Sequence, residues 1–452
     1  MFDKHYHERM SPDLRKLFAR RGVRDLKVAL WNAFFDSELT GICDDDCSAV
    51  PRILPASYLP TIVGAARDTT EFLLKYLAFP DHRLLALHHS TPVTRYLLNQ
   101  IGVLDHRPRR LTGSIRYDFA IEGPPRPDNP PKLFEINEIG FDGSGRSSYI
   151  QKAILTLFPE LRKRVRVLDT ARSELRNMSR LGRRLLRLQY DVYNWEDEVN
   201  IAEARRQGLE MELVSPEVFG IEMDPDFPLL RRAPISVRRN RLVVGGSSAP
   251  PDAVQISYSF ELPDYEEGRD LFRSIVRSRT HHYSPFLTGL VAPKSTLLLL
   301  DDHDLQEELL GPRRARRLRR SLLPVRLLSD CFDEVKRKYR RLVIKQVDGL
   351  GGELVFVGKE ILPQLDKIPA RQRRDWIVQK RVLPNVIEVD GILSRRRRVM
   401  ADLGVFVHYD WDGERFRSFR VGGMITRATN RSKKVNVSGG GIQVPVMFDR
   451  AR

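Results

Sequence analysis

Two short polar doublets, Arg116-Tyr117-Asp118 and Glu135-Ile136-Asn137, constrain this chain more than any other feature of its sequence. Apolar and polar residues alternate from Arg116 to Asp118 and from Leu133 to Asn137, which predicts two strands. The glycine- and proline-bearing stretch 123–131 predicts the hairpin loop between them. Residues two apart on a strand point to the same side, so Arg116 shares a face with Asp118, and Glu135 with Asn137. If the strands are neighbours, two carboxylates, an amide and a guanidinium converge. Hard oxygen donors suit Mg²⁺, with Asp118, Glu135 and Asn137 as its ligands, and the planar fork of Arg116 suits a terminal phosphate. A half-buried hairpin turning polar groups to solvent would read the same way, so the rest of the chain has to decide.

A second cluster comes late. Residues 342–345 read as a strand ending in Lys345, and 354–357 as another, with Gly349, Gly351 and Gly352 in the loop between. Such a hairpin can close bare backbone N–H groups over phosphates, with Lys345 supplying charge. Residues 376–382 read as an apolar strand passing into a polar linker, where Gln379, Lys380 and Val382 could wall an adenine. Further on stand Arg427 and Asn436, each beside glycines. The loop 140–149, expected to open a helix near Tyr149, offers N–H groups to an anion. It fits neither the dinucleotide fingerprint nor a Walker A loop, because no lysine follows its last glycine.

Composition excludes several classes. With 41% hydrophobic and 30% charged residues the chain reads as globular, not disordered. No apolar run reaches the length of a membrane span, so no membrane partner is expected; 297–300 reads as core. The start of the sequence lacks a signal-peptide pattern and the chain has three cysteines, which points to the cytoplasm. Cys43 and Cys47 lack a second ligand pair for zinc. A net charge of +17 attracts acidic small molecules, but the arginine runs at 313–320 and 395–398 have no interleaved aromatics to stack on bases. Nucleic acid is therefore not the expected partner, and the 313–320 run, at helical spacing, reads as a solvated face.

The order of elements predicts an α/β fold in four parts. Residues 1–104 read as a helical cap, with Leu59, Ile62, Val63, Ala66, Phe72, Leu73 and Tyr76 on one helical face; His88-His89 has a structural reading. Residues 105–164 carry the hairpin. Residues 165–292 alternate strands (165–169, 189–193, 211–214, 253–258) with helices (173–186, 199–207), which predicts a parallel α/β layer with a surface insertion at 241–251. Residues 293–452 carry the glycine-rich lid.

Taken together, Arg116-x-Asp118, Glu135-x-Asn137, the serine-glycine loop at 144–149, Lys294 after Pro293, Lys345 with its glycine hairpin, Gln379 to Val382, Gly422-Gly423 with Thr426-Arg427, and Asn436-Val437-Ser438 resemble the ATP-grasp superfamily. Their order resembles its circularly permuted branch, which includes glutathionylspermidine synthases and circularly permuted type 2 ATP-grasp proteins. The resemblance spans about residues 105–449. It implies a ligase that joins a carboxylate, of a small molecule or peptide, to an amine through an acyl phosphate. ATP and two Mg²⁺ would be its cofactors, Arg116, Arg427 and Asn436 its catalytic groups, and Lys294, Lys345, Gly349, Gly351, Gly352, Gln379, Lys380 and Val382 its nucleotide contacts. It also implies a homodimer. A phosphotransferase, a non-catalytic ATP-binding protein and a polyanion-binding protein of the same fold are the other readings. One departure stands out: relatives carry an arginine where this chain has Gly404.

Overall fold

The computed structural model describes residues 5–20, 25, 27–28, 46–78, 110–138, 143–188, 196–217, 230–256, 266–291, 293–347, 354–390, 397–429 and 441–451. Strand β3 (Leu111–Ala120) is buried at every residue and joins two kinds of sheet. Along one edge runs β19 (Leu403–Trp411), antiparallel over the whole of β3. On the other edge, β12 (His281–Tyr283) pairs in parallel at Thr112, and β4 (Lys132–Glu138) pairs antiparallel from Ile115 onward. Beyond β12 the strands are all parallel: β11 (Ala253–Ile256), β6 (Arg184–Leu188), β7 (Glu210–Pro216) and β8 (Leu230–Ala233). Beyond β19 come β20 (Phe416–Thr429) and β21 (Ile442–Asp449), both antiparallel. With β17 (Val386–Val389), β18 (Arg397–Ala401) and three short strands this makes a mixed sheet of fifteen strands, an α/β architecture.

A separate sheet of four antiparallel strands, in the order β13 (Val325–Leu327), β16 (Trp376–Lys380), β14 (Leu342–Gln346), β15 (Val355–Val357), forms the lid. Alternation sorts its side chains. Ile344, Trp376 and Val378 join Leu328, Val335 and Ile361 in a small core of the lid, while Ile377 belongs to the core of the large sheet. Lys345 and Gln379 share that second face.

The helix expected after Pro60 runs Leu59–Ala78 (α2) and buries Leu59, Ile62, Ala66, Phe72, Leu73 and Tyr76. Ahead of it lie α1 (Pro12–Arg20) and two short strands, β1 (Asp46–Cys47) and β2 (Arg52–Pro55), which pair in parallel with β21. The region read as a helical cap thus also extends the sheet. His88-His89 and Cys43 lie outside the described residues.

Several local readings are corrected. Only Val165–Arg166 (β5) is a strand, and it pairs with β21 rather than with the parallel layer. The following helix is Thr170–Met178 (α4), capped by Asp169 accepting from the Arg172 N–H, and 184–186, read as its end, belong to β6. Residues 189–193 lie outside the described residues. The arginine run is not a solvated face throughout. On helix α7 (Pro312–Arg319), Arg314 and Arg317 donate to Asp68, and Arg314 also to Glu71, two acids buried on α2. Arg313, Arg316 and Arg320 keep the exposed side.

Candidate functional site

The two doublets meet as the period-2 argument requires: Arg116 lies opposite Asn137 and Asp118 opposite Glu135 in the β3–β4 register. What surrounds them is cationic. Asp118, fully buried, accepts from Arg116 Nε at 2.9 Å, from Asn137 Nδ2 at 2.7 Å and from Arg427 at 2.7 Å. Burial alone would raise its pKa, but the guanidiniums of Arg116 and Arg427 outweigh it and hold the carboxyl below its ordinary value. Arg427, on β20, also grips Asp402, its backbone N–H donating to Oδ1 at 2.7 Å and its Nε to Oδ2 at 2.8 Å. Burial opposes charge on Arg427, yet Asp118 and Asp402 raise its pKa. Asp402 is pushed up to about 6 by burial, against the pull of Arg427 and with Asp118 adding to the rise.

The lid reaches the same place. Lys345 Nζ donates to the Phe134 carbonyl on β4 at 2.6 Å and to Gln379 Oε1 at 2.9 Å. Burial brings its pKa down to about 8; Lys294 pushes the same way and Glu135 opposes. Lys294 stands 3.6 Å from a Glu135 oxygen. Because a lysine only donates, Gln379 must turn Oε1 to it, and its Nε2 is left buried with no partner among the described residues. Four cations (Arg116, Arg427, Lys294, Lys345) thus face three carboxylates (Asp118, Glu135, Asp402).

Other expected residues fall less simply. Strand β16 is hydrogen-bonded on both edges, to β13 and β14, so its backbone is spent as far as Lys380, whose side chain is exposed. Val382 lies past the last paired residue. Gly349, Gly351, Gly352 and Asn436 lie outside the described residues. The serine loop is not a loop: Ser144–Leu157 is already helix α3, begun by Gly143 at φ +107°, a conformation that suits glycine. Ser147 Oγ donates to the Met424 carbonyl and Ser148 Oγ accepts from the Ala171 N–H, so these hydroxyls dock α3 on β20 and α4. Gly422-Gly423 serves packing too: a Cβ on Gly423 would lie 1.6 Å from Thr170 Oγ1 and one on Gly422 would lie 2.2 Å from His408 Nε2. Gly404 lies opposite Asp118; a Cβ there would be tight against Ile425 Cγ2 at 3.2 Å and in ordinary contact with Arg116 Cδ at 3.4 Å.

Sequence reasoning missed Asp402 and Arg52, which donates to the Asp402 carbonyl, as parts of this site. Asp402 stands two residues before Gly404, but its partner Arg427 is brought to it only by the folding of β20. Arg52 carries no motif at all.

No family model matches the chain, and neither does any curated protein. Among solved structures it is similar to a glutathione synthetase-like effector from Globodera pallida in its apo form, with a TM-score of 0.68 and 12% sequence identity over 97% of this chain and 98% of that one. At that identity the likeness speaks for the fold, which is mixed α/β and glutathione synthetase-like over nearly the whole length.

Proposed function

We propose that this chain is a circularly permuted ATP-grasp enzyme, an ATP-dependent carboxylate–amine ligase working through an acyl phosphate. The observation that carries the reading is the contact of lid and hairpin: Lys345 is anchored on the carbonyl next to Glu135, so two clusters far apart in sequence meet. Among the described residues four cations stand against three carboxylates here, which favours a polyanion. The orphaned amide of Gln379 favours a ligand that presents an acceptor to it. The glutathione synthetase-like fold of the solved neighbour is compatible with this reading.

ATP would lie between the four-stranded lid and the β3–β4 hairpin, with its phosphates toward Lys294, Lys345 and the loop of Gly349, Gly351 and Gly352, and its adenine toward Gln379, Lys380 and Val382. The donor set suits Mg²⁺ at Glu135, which stands 3.6 Å from Lys294, and at Asn137, whose Nδ2 faces Asp118 and whose oxygen is left to accept. Asp118 would join them only as Arg116 or Arg427 exchanges it for phosphate. When bound, Mg²⁺ supplies positive charge to the phosphoryl oxygens.

The substrate carboxylate attacks the γ-phosphorus, the bond to the bridging oxygen breaks, and ADP leaves. Arg116 and Arg427, held in place by Asp118 and Asp402, neutralise the charge that gathers on the transferred group, with Asn436 as a further donor. An amine then adds to the acyl carbon and expels phosphate, giving the amide. No nucleophilic side chain is required, since positioning and fixed charge carry the step.

The test is a screen of carboxylate and amine pools for ATP-dependent phosphate release, with Glu135→Ala as control. Release by the parent and its loss in the variant supports the ligase. Equal release by both removes Glu135 from the metal role. No release with any pool, together with no rise in Tm on adding Mg²⁺ and ATP, refutes the reading.

A further inference from the structure

Asp402 and Arg427 are held from an unexpected direction. Residues at the front of the chain lie beside β17: the Glu8 N–H donates to the Val386 carbonyl, the Val386 N–H to the Tyr6 carbonyl, and His7 forms a parallel bridge with Val386. This places the Glu8 carboxylate on Arg52, which donates to it twice, from Nε at 2.9 Å and from a terminal nitrogen at 2.6 Å, while Asn385 donates to the same carboxylate at 2.8 Å. The other terminal nitrogen of Arg52 donates to the Asp402 carbonyl at 2.5 Å and to Thr426 Oγ1 at 3.0 Å, and that hydroxyl donates to the Asp402 carbonyl as well. The Arg52 side chain is 1% exposed and that of Glu8 10%.

We propose that Glu8, acting through Arg52, is a positioning residue for Arg427, so that the segment 5–8 is a working part of the anion-binding cleft. The physical reason is charge. A bidentate carboxylate keeps the buried Arg52 cation on the backbone of Asp402 and leaves the Asp402 side chain to Arg427. With Glu8 neutral, a buried guanidinium has lost its counter-ion while it still holds the Asp402 carbonyl and Thr426 Oγ1. As Arg52 turns toward other partners the Asp402 backbone moves with it, and the Asp118–Arg427–Asp402 bridge loosens. The idea rests on the nucleotide reading for its ligand, not for its geometry.

The experiment compares the parent, Glu8→Gln and the double variant Glu8→Gln/Arg52→Gln, using inorganic tripolyphosphate with Mg²⁺ as the probe in calorimetry and deuterium exchange at the Arg427 amide, which is bonded to Asp402, as a second readout. Glu8→Gln should weaken tripolyphosphate binding about tenfold and speed exchange at Arg427, and the double variant should recover most of both, because the stranded cation has gone. A merely structural loss predicts a double variant as weak as the single one or weaker, which would overturn the relay, as would parent-like binding and exchange in Glu8→Gln. If Glu8→Gln does not fold, Arg52→Lys, which keeps the buried charge but loses the fork, takes its place with the same expected loss, and parent-like behaviour again overturns the idea. If the parent binds no tripolyphosphate, the nucleotide reading fails, and exchange at Arg427 still decides the relay by itself.

Discussion

Replacing Lys345 by methionine should make the protein more stable at neutral pH while removing its affinity for a phosphate chain. The folded chain holds this ammonium where it titrates near pH 8, down from 10.5, chiefly through burial. At about 1.4 kcal/mol per tenfold change in proton affinity, its charge costs the fold about 3 kcal/mol at pH 7. Methionine is close in shape and removes that penalty. Against the gain stand two lost hydrogen bonds, to the Phe134 carbonyl and Gln379 Oε1, together about 1–2 kcal/mol. The net expectation near pH 7 is a gain of about 1–2 kcal/mol. The sign should change with pH. Below pH 8 both states hold the proton and the penalty is present in full; from 8 to 10.5 the unfolded chain holds it more tightly than the folded one, so parent stability rises with pH across that window. By about pH 10 the penalty has fallen below about 1 kcal/mol, and Lys345→Met should be no more stable than the parent, or less. Urea unfolding of both proteins near pH 7 and near pH 10 measures the two differences. A variant already less stable at pH 7 would show that the lysine is a structural tie, and the reasoning would fail.

Three other outcomes are expected. Arg314→Met/Arg317→Met should destabilise the protein by about 3–5 kcal/mol in urea unfolding, because Asp68 is wholly buried and would be stranded; Asp68→Ala should cost less, since Arg314 and Arg317 are 30% and 56% exposed and can turn to water. Gly404→Ala should leave Mg²⁺–ATP binding close to that of the parent in calorimetry, because its Cβ is tight only against Ile425 Cγ2 at 3.2 Å and makes ordinary contact with Arg116 and Asp118 at 3.4 Å; a marked loss of affinity would show that Arg116 has been displaced. Gly423→Ala should lower Tm, its Cβ falling on Thr170, while leaving nucleotide affinity in the surviving folded fraction unchanged.

How far the sequence discloses this molecule depends on whether the information is local. Alternation over three to five residues sufficed for β3 and β4, short apolar runs for β14 and β16, and helical spacing for α2, because each of those patterns is written within one element. The arginines of α7 read as solvated because the partners of Arg314 and Arg317 lie far off in sequence; Asp68 and Glu71 reach them only when α2 packs alongside. The serines at 144–148 read as a binding loop because serine favours turns as well as helix starts, and their actual partners, Met424 and Ala171, are set by tertiary contacts. The glycine pair 422–423 reads as a binding motif for the same reason, although close approach of α4 explains it.

What separates candidate site from scaffold is then how the buried charges are matched. Several scaffold carboxylates meet arginines in closed geometry: Asp410 takes both ends of the Arg110 fork, Asp197 meets Arg187 at 2.6 Å, and Asp68 takes Arg314 and Arg317. In the cleft the sums do not close. Asp402 is driven up to about 6, Lys345 down to about 8, and Gln379 keeps a buried donor with no partner among the described residues. Each of these departures is costly; a ligand bearing several negative oxygens and an acceptor ring would relieve those at Lys345 and Gln379, and would push the Asp402 carboxyl further toward its neutral form. Selection for stability alone would have replaced such groups, as the Lys345→Met comparison is designed to expose, whereas selection for binding a phosphate chain retains them.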